Sequence, residues 1–179
     1  GRRMWLRTTW RDGFGTELRV DGAYGPMTVN HDGQSLQVES ILDLADPHLR
    51  VYQAKPGIDS EWANQLLGLG LPAGLPLGYD RHDGSSGMTL GELAAQPPGT
   101  AVATFRFALN NVIVSDNRIP PWGMEFEEAT RRSTRPVPAD LYGNPDPDEA
   151  YDYWDDVPLA PPTGAVSAEV ELLYQTTSW

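Results

Sequence analysis

Hydrophobic and polar residues alternate with a period of two near both ends of the chain. Residues 4–10 form one such run between Trp5 and Trp10. In the other, Val166, Ala168, Val170 and Leu172 fall on one face and Ser167, Glu169, Glu171 and Leu173 on the opposite face. Period two is the signature of a strand with one side toward a core. Residues 17–20 predict a further short strand. Met27-Thr28-Val29 and Leu36-Gln37-Val38 flank Asn30-His31-Asp32-Gly33, which predicts a hairpin with an Asp-Gly turn. The strongest strand pattern covers residues 100–114. It sets Val102, Thr104, Arg106 and Ala108 against Ala103, Phe105, Phe107 and Leu109, with a kink expected at Asn110-Asn111.

Helical signals are few. Residues 59–68 predict one short helix, capped by Asp59 or Ser60 and stopped by Gly68. Residues 125–132 suggest a single helical turn. Residues 41–49 fit neither period, since Asp46-Pro47 breaks a helix there, and residues 69–77 read as an apolar loop punctuated by Gly and Pro. The elements together predict an all-β fold, an antiparallel β-sandwich with one short helix and a long irregular loop. One domain over residues 1–179 is expected, with an aromatic-acidic irregular segment at 133–162. Irregular segments of that length are usually functional or covered.

Composition sharpens this picture. Gly 18 and Pro 16 form about a fifth of 179 residues, a turn-rich balance suited to all-β domains. Six Trp and seven Tyr argue against disorder. The formal charge is −12, from 13 basic and 25 acidic residues, and Lys55 is the sole lysine. Such acidity disfavours nucleic acid and anionic membranes as partners. Cysteine is absent, which excludes disulfides, thiolate metal sites, Cys nucleophiles and covalent c-type haem in this chain. No run of 18 apolar residues and no signal peptide is visible. Because both ends read as strands, the chain is expected to be a fragment or mature piece of a longer product.

The candidate chemistry begins where the strand pattern breaks, in Ser115-Asp116-Asn117-Arg118-Ile119-Pro120-Pro121. Asp116 and Asn117 are suited to bonding nearby backbone amides in a turn, with Arg118 pairing a buried carboxylate. A second reading is a Ca²⁺ site, since hard cations take carboxylate and amide oxygens. Asp116 and Asn117 would then join Asp152, Asp155 and Asp156. The acidic loop is also aromatic. Tyr142, Tyr151, Tyr153 and Trp154 either pin the loop to the sheet by burying their rings or, for Tyr151, Tyr153 and Trp154, stack on a glycan. Trp10, Trp62 and Trp122 are further stacking candidates.

Catalytic signatures are missing. His31, His48 and His82 are scattered, with two in turns. No Gly-x-Ser-x-Gly elbow, phosphate loop or dinucleotide fingerprint occurs. Paired carboxylates of a glycosidase are abundant as residue types, but sequence does not bring any two together. A non-catalytic role is therefore expected.

Three stretches together resemble a known family: residues 111–121, Pro136-Val137-Pro138-Ala139, and residues 169–179 with their Tyr174-Gln175 pair. They look like the cysteine-free β-rich region C-terminal to the haem-binding segments of bacterial multihaem c-type cytochromes and related surface proteins. The resemblance covers residues 100–179. It implies an exported, extracellular or cell-surface protein, with a multihaem cytochrome as partner and no haem of its own. The expected role is thus an extracellular structural or interaction module, joined to a protein partner, to itself or to a surface filament. Strand ends without edge protection favour such pairing. The alternative is a carbohydrate-binding module with a structural calcium ion.

Overall fold

The computed structural model describes residues 2–31 and 33–176. Eight strands are found among them: β1 (Arg3–Arg11), β2 (Glu17–Asp21), β3 (Tyr24–His31), β4 (Gln34–Ile41), β5 (Arg50–Asp59), β6 (Ala101–Ala103), β7 (Val112–Asp116) and β8 (Ser167–Gln175). Three helices are short: α1 (Ser60–Gly68), α2 (Leu90–Ala94) and α3 (Phe126–Arg131). All the strand pairings are antiparallel. The fold is all-β, as the period-two pattern predicts; α1 is the short helix expected, α3 falls on the helical turn expected at 125–132, and α2 is an addition.

β1 organises the larger sheet. It pairs with β8 over residues 3–11, with β5 over 3–6 and with β2 over 8–11. Its two Trp side chains are buried, and each satisfies its polar handle. Trp5 Nε1 donates to the Gly22 carbonyl at 3.0 Å, and Trp10 Nε1 donates to Asp21 Oδ2 at 2.7 Å. The hairpin β3–β4 is the second sheet. It meets the first where the Trp5 and Tyr24 rings lie 5.4 Å apart and where Arg3 Nη2 donates to Ser40 Oγ at 3.0 Å. Asp32 of the predicted turn lies outside the described residues. Gly33 takes φ +73°, a conformation glycine adopts without steric cost.

β5 is the strand on which the rest converges, and the hydrophobic pattern does not announce it. Residues 50–53 pair with β1, 54–57 with β7 and 57–59 with β6. Pro56 and Gly57 disguise it as a turn. Pro56 sits at a bulge, where a missing N–H is tolerated. A Cβ on Gly57 would lie 2.2 Å from the Val102 carbonyl oxygen, so only glycine lets β6 come this close.

The long strand expected over residues 100–114 is not formed. β6 ends at Ala103, a 3₁₀ turn occupies Phe107–Leu109, and β7 starts at Val112. Gly57 pairs with both Ala103 and Val112, so β6 and β7 lie on opposite edges of β5. Residues 104–111 are the crossover between them. Thr104 N–H donates to the Pro56 carbonyl and Asn111 N–H to the Gly57 carbonyl. The alternation of Phe105, Phe107 and Leu109 therefore marks a bridging loop, and Phe105 and Phe107 are exposed.

The helices close the end of β5. Asp59 caps α1 by accepting from Trp62 N–H at 2.7 Å. The helix ends in a Schellman arrangement, with Leu71 N–H on the Leu66 carbonyl and Gly70 N–H on that of Leu67. The glycine that terminates it is Gly70, at φ +92°, rather than Gly68, which remains helical. Ile58, Ala63, Leu66, Leu77, Leu90 and Leu93 form the main buried cluster. A second cluster of Ala129, Tyr142 and Tyr151 lies beneath α3.

Candidate functional site

The Asp116-Asn117-Arg118 turn is a braced joint between β7, β5 and the long segment. Asp116 is buried, and its carboxylate takes a bidentate contact from Arg118, with Nε on Oδ1 at 2.8 Å and Nη2 on Oδ2 at 2.5 Å. The hydrogen bonds to Asp116 hold the Arg118 guanidinium above its usual pKa. The backbone of Asp116 exchanges both hydrogen bonds with Val137. Asn117 continues β7 by its side chain: Nδ2 donates to the Val51 carbonyl at 2.6 Å and Oδ1 accepts from Gln53 N–H at 2.9 Å. The expected ion pair of Arg118 with a buried carboxylate is present, and its partner is Asp116 itself.

The long segment is irregular, as expected, and it is anchored by its aromatic and acidic residues. Tyr142 and Tyr151 are buried. The Tyr142 hydroxyl donates to the Asn117 carbonyl. Tyr142 takes φ +55°, which costs a bulky residue on the order of 1 kcal/mol. Its carbonyl accepts from Asp152 N–H at 3.0 Å, so this posture is held from both ends. Burial first, and the nearby Asp155 charge second, push the Tyr142 hydroxyl up to about 12.

Asp155 joins this segment to β5. Its Oδ2 accepts from Arg50 Nε at 2.8 Å and from the Tyr52 hydroxyl at 2.8 Å, with Arg50 Nη2 at 2.6 Å. Burial works against the Arg50 charge, yet the bonds to Tyr52 and Asp155 hold the guanidinium above its ordinary value. The Tyr52 hydroxyl is raised by burial and by its bond to Asp155. The sequence pattern does not single out Arg50 and Tyr52, because β5 itself is hidden in it. An Arg-x-Tyr on one face of a strand is the signal that would have marked them.

The predicted metal ligands do not converge. Asp116 is committed to Arg118 and Asp155 to Arg50, while Asp152 faces Gly143 and Asp156 is exposed. Among the described residues, no three His, Cys, Asp or Glu side chains are grouped to hold a metal ion. The Tyr151-Tyr153-Trp154 platform is likewise not assembled. Tyr151 is buried and stacks on Phe126, with ring centroids 6.3 Å apart. Tyr153 and Trp154 are half exposed but meet edge to face at 88°, so they offer no common flat surface. A cleft of about 540 Å³ lies instead beside the turn, between Arg118, Ile119, Trp122, Glu128 and Arg132. Trp122 at its rim is 81 % exposed.

The other open feature is β8. Among the described residues it pairs only with β1, so its second edge is unpaired. Its even face is apolar and exposed: Val170 at 48 %, Leu172 at 58 % and Tyr174 at 54 %, with Met4 beside them. Its odd face carries Glu171 and Glu169, which Arg7 and Arg11 of β1 answer at 3.4 and 3.9 Å. Lysine, proline and bulges are missing from it, and Glu169 and Glu171 are its charged residues.

Comparison with protein-family models, curated proteins and solved structures finds no match. The resemblance to multihaem cytochrome domains thus rests on its three stretches alone. Two of these meet in space, where Asp116 pairs with Val137.

Proposed function

We propose that this chain is a non-catalytic interaction and structural module that joins another polypeptide through the open edge of β8. The observation that carries this reading is a nine-residue edge strand with one row of backbone groups unpaired among the described residues and an exposed apolar face. Strand addition to such an edge draws affinity from main-chain hydrogen bonds and specificity from alternate side chains. The resemblance adds an exported, cell-surface setting and a multihaem cytochrome as the class of neighbour. The best-organised carboxylates, on Asp116 and Asp155, are held by arginines and serve the fold. Amide exchange at Val170, Leu172 and Tyr174 tests the reading. Slowing of these three amides on raising the protein concentration, or on adding a multihaem cytochrome, is the expected result. Unchanged fast exchange under every condition would sink it.

Carbohydrate binding is the second reading, and the cleft beside Trp122 favours it over the Tyr151-Tyr153-Trp154 loop. Its volume of about 540 Å³ suits a small ligand, and the exposed indole offers a face for a sugar ring. Soluble glycans should then quench Trp fluorescence in the wild type and not in Trp122→Ala. A response that survives in Trp122→Ala would point elsewhere.

A further inference from the structure

We infer that the occupant of the β8 edge is β8 of a second copy of this chain, paired antiparallel about a two-fold axis through Leu172. This rests on reading β8 as the binding edge. Hydrogen-bonding direction and side-chain pattern both select that register.

Direction comes first. Gln53, which pairs with Arg3, turns its N–H and C=O away toward Asn117, so β1 bonds β5 through its even residues and its odd residues face β8. The pairs run odd with odd, from Arg3 with Gln175 to Arg11 with Ser167. Backbone groups in an antiparallel strand alternate between its two edges. The odd residues of β8 therefore bond inward to β1, and Ala168, Val170, Leu172 and Tyr174 turn their N–H and C=O outward. A two-fold through Leu172 makes Leu172 face its own copy as a hydrogen-bonded pair. Val170 then faces Tyr174 of the second copy.

The side chains agree with that register. Leu172 meets Leu172, and Val170 meets Tyr174 twice, so the apolar faces of both copies merge into one. Cross-strand aromatic and β-branched pairs of this kind stabilise sheets. The glutamates avoid one another: Glu171 lies opposite Leu173 and Glu169 opposite Gln175. A two-fold through Glu171 would instead set like charges directly opposite, which is destabilising. The symmetric interface closes on itself, so this edge yields a dimer with a continuous sheet and not a filament. One strand pair lies at the small end of specific interfaces, and weak, concentration-dependent association is expected.

The absence of native cysteine allows a direct test. Leu172 is exposed, so Leu172→Cys spares the core. Treated with a short bis-maleimide, Leu172→Cys should cross-link to dimer. Glu169→Cys should not, because the two copies of residue 169 would stand about 20 Å apart at ~3.4 Å per residue. Association should also strengthen with added salt, because two chains of charge −12 repel and salt screens that repulsion. A chain that stays monomeric overturns the proposal. So does a dimer that links through Glu169→Cys as readily as through Leu172→Cys. The wider reading separates cleanly from this one. If β8 amides are protected only by a different partner, the second-copy proposal fails and the binding edge stands. If they are never protected, both fail.

Discussion

Asn117 bonds the Val51 carbonyl through its side-chain Nδ2 at 2.6 Å, extending along β5 the contact that its own backbone N–H makes with the Gln53 carbonyl at 3.2 Å. The same side chain accepts from Gln53 N–H at 2.9 Å. An amide is the group that can donate to a carbonyl and accept from an N–H at once. Asn117→Ala should therefore destabilise the chain by about 2 kcal/mol, two hydrogen bonds at ~1 kcal/mol each. Asn117→Asp should cost at least as much, since it sets an oxygen against the Val51 carbonyl. Urea unfolding of the two variants decides this, and an Asn117→Asp as stable as wild type would contradict it.

Arg50 and Asp155 tie the long segment to the sheet. Asp155→Asn removes the charge that answers a partly buried guanidinium and weakens the bond to the Tyr52 hydroxyl. A loss of about 2 kcal/mol is expected, in the range for hydrogen bonds to charged groups. The segment should also become sensitive to protease near residues 144–160. Wild-type resistance in Asp155→Asn would show that the segment is held by its buried tyrosines alone.

Alkaline pH should loosen the same region. Burial raises the Tyr142 hydroxyl from 10.0 to about 12. A raised folded-state pKa means that the stability it represents is complete below the unfolded value. It is lost as pH climbs from about 10 through about 12, because the unfolded chain releases that proton first. Thermal midpoints should fall across this window. Tyr142→Phe should begin less stable by about 1 kcal/mol, the value of one hydrogen bond, and show a shallower fall. An equal fall in both proteins would assign the loss to another group.

Calcium and chelator should leave the unfolding midpoint in place, because the carboxylates of Asp116 and Asp155 are each taken by an arginine. Differential scanning with Ca²⁺ and with EDTA checks this. A midpoint that rises with Ca²⁺ would require these ion pairs to open around a cation.

Several elements could be read from residues alone, and the reasons are physical. β8 alternates cleanly although its apolar face is the exposed one, and β1 is marked by its aromatic and threonine residues although it buries Trp5 and Trp10 on opposite faces. α1 carries its own cap at Asp59. β5 is hidden because it is central, and a strand with neighbours on both edges can hold Pro56 at a bulge and Gly57 at a close approach. Those same residues read as a turn in isolation. Residues 104–111 mislead in the opposite sense, since a bridging loop with Phe105 and Phe107 exposed keeps a strand-like period. In the turn, Asp116, Asn117 and Arg118 were legible as a braced joint. Their partners at Val51, Gln53 and Val137 are fixed by tertiary pairing, and no spacing in the chain encodes that. Tyr151 looks like a sugar-stacking residue in sequence and is a core residue in the fold.

Sedimentation of the wild type beside Leu172→Lys, from about 1 to about 200 µM, bears most directly on the role of β8, since mass action must populate a weak complex at the upper end. The wild type should move from monomer toward twice the chain mass of 19.7 kDa, and Leu172→Lys should remain monomeric with its unfolding midpoint unchanged. Identical behaviour of the two proteins would contradict pairing through this edge.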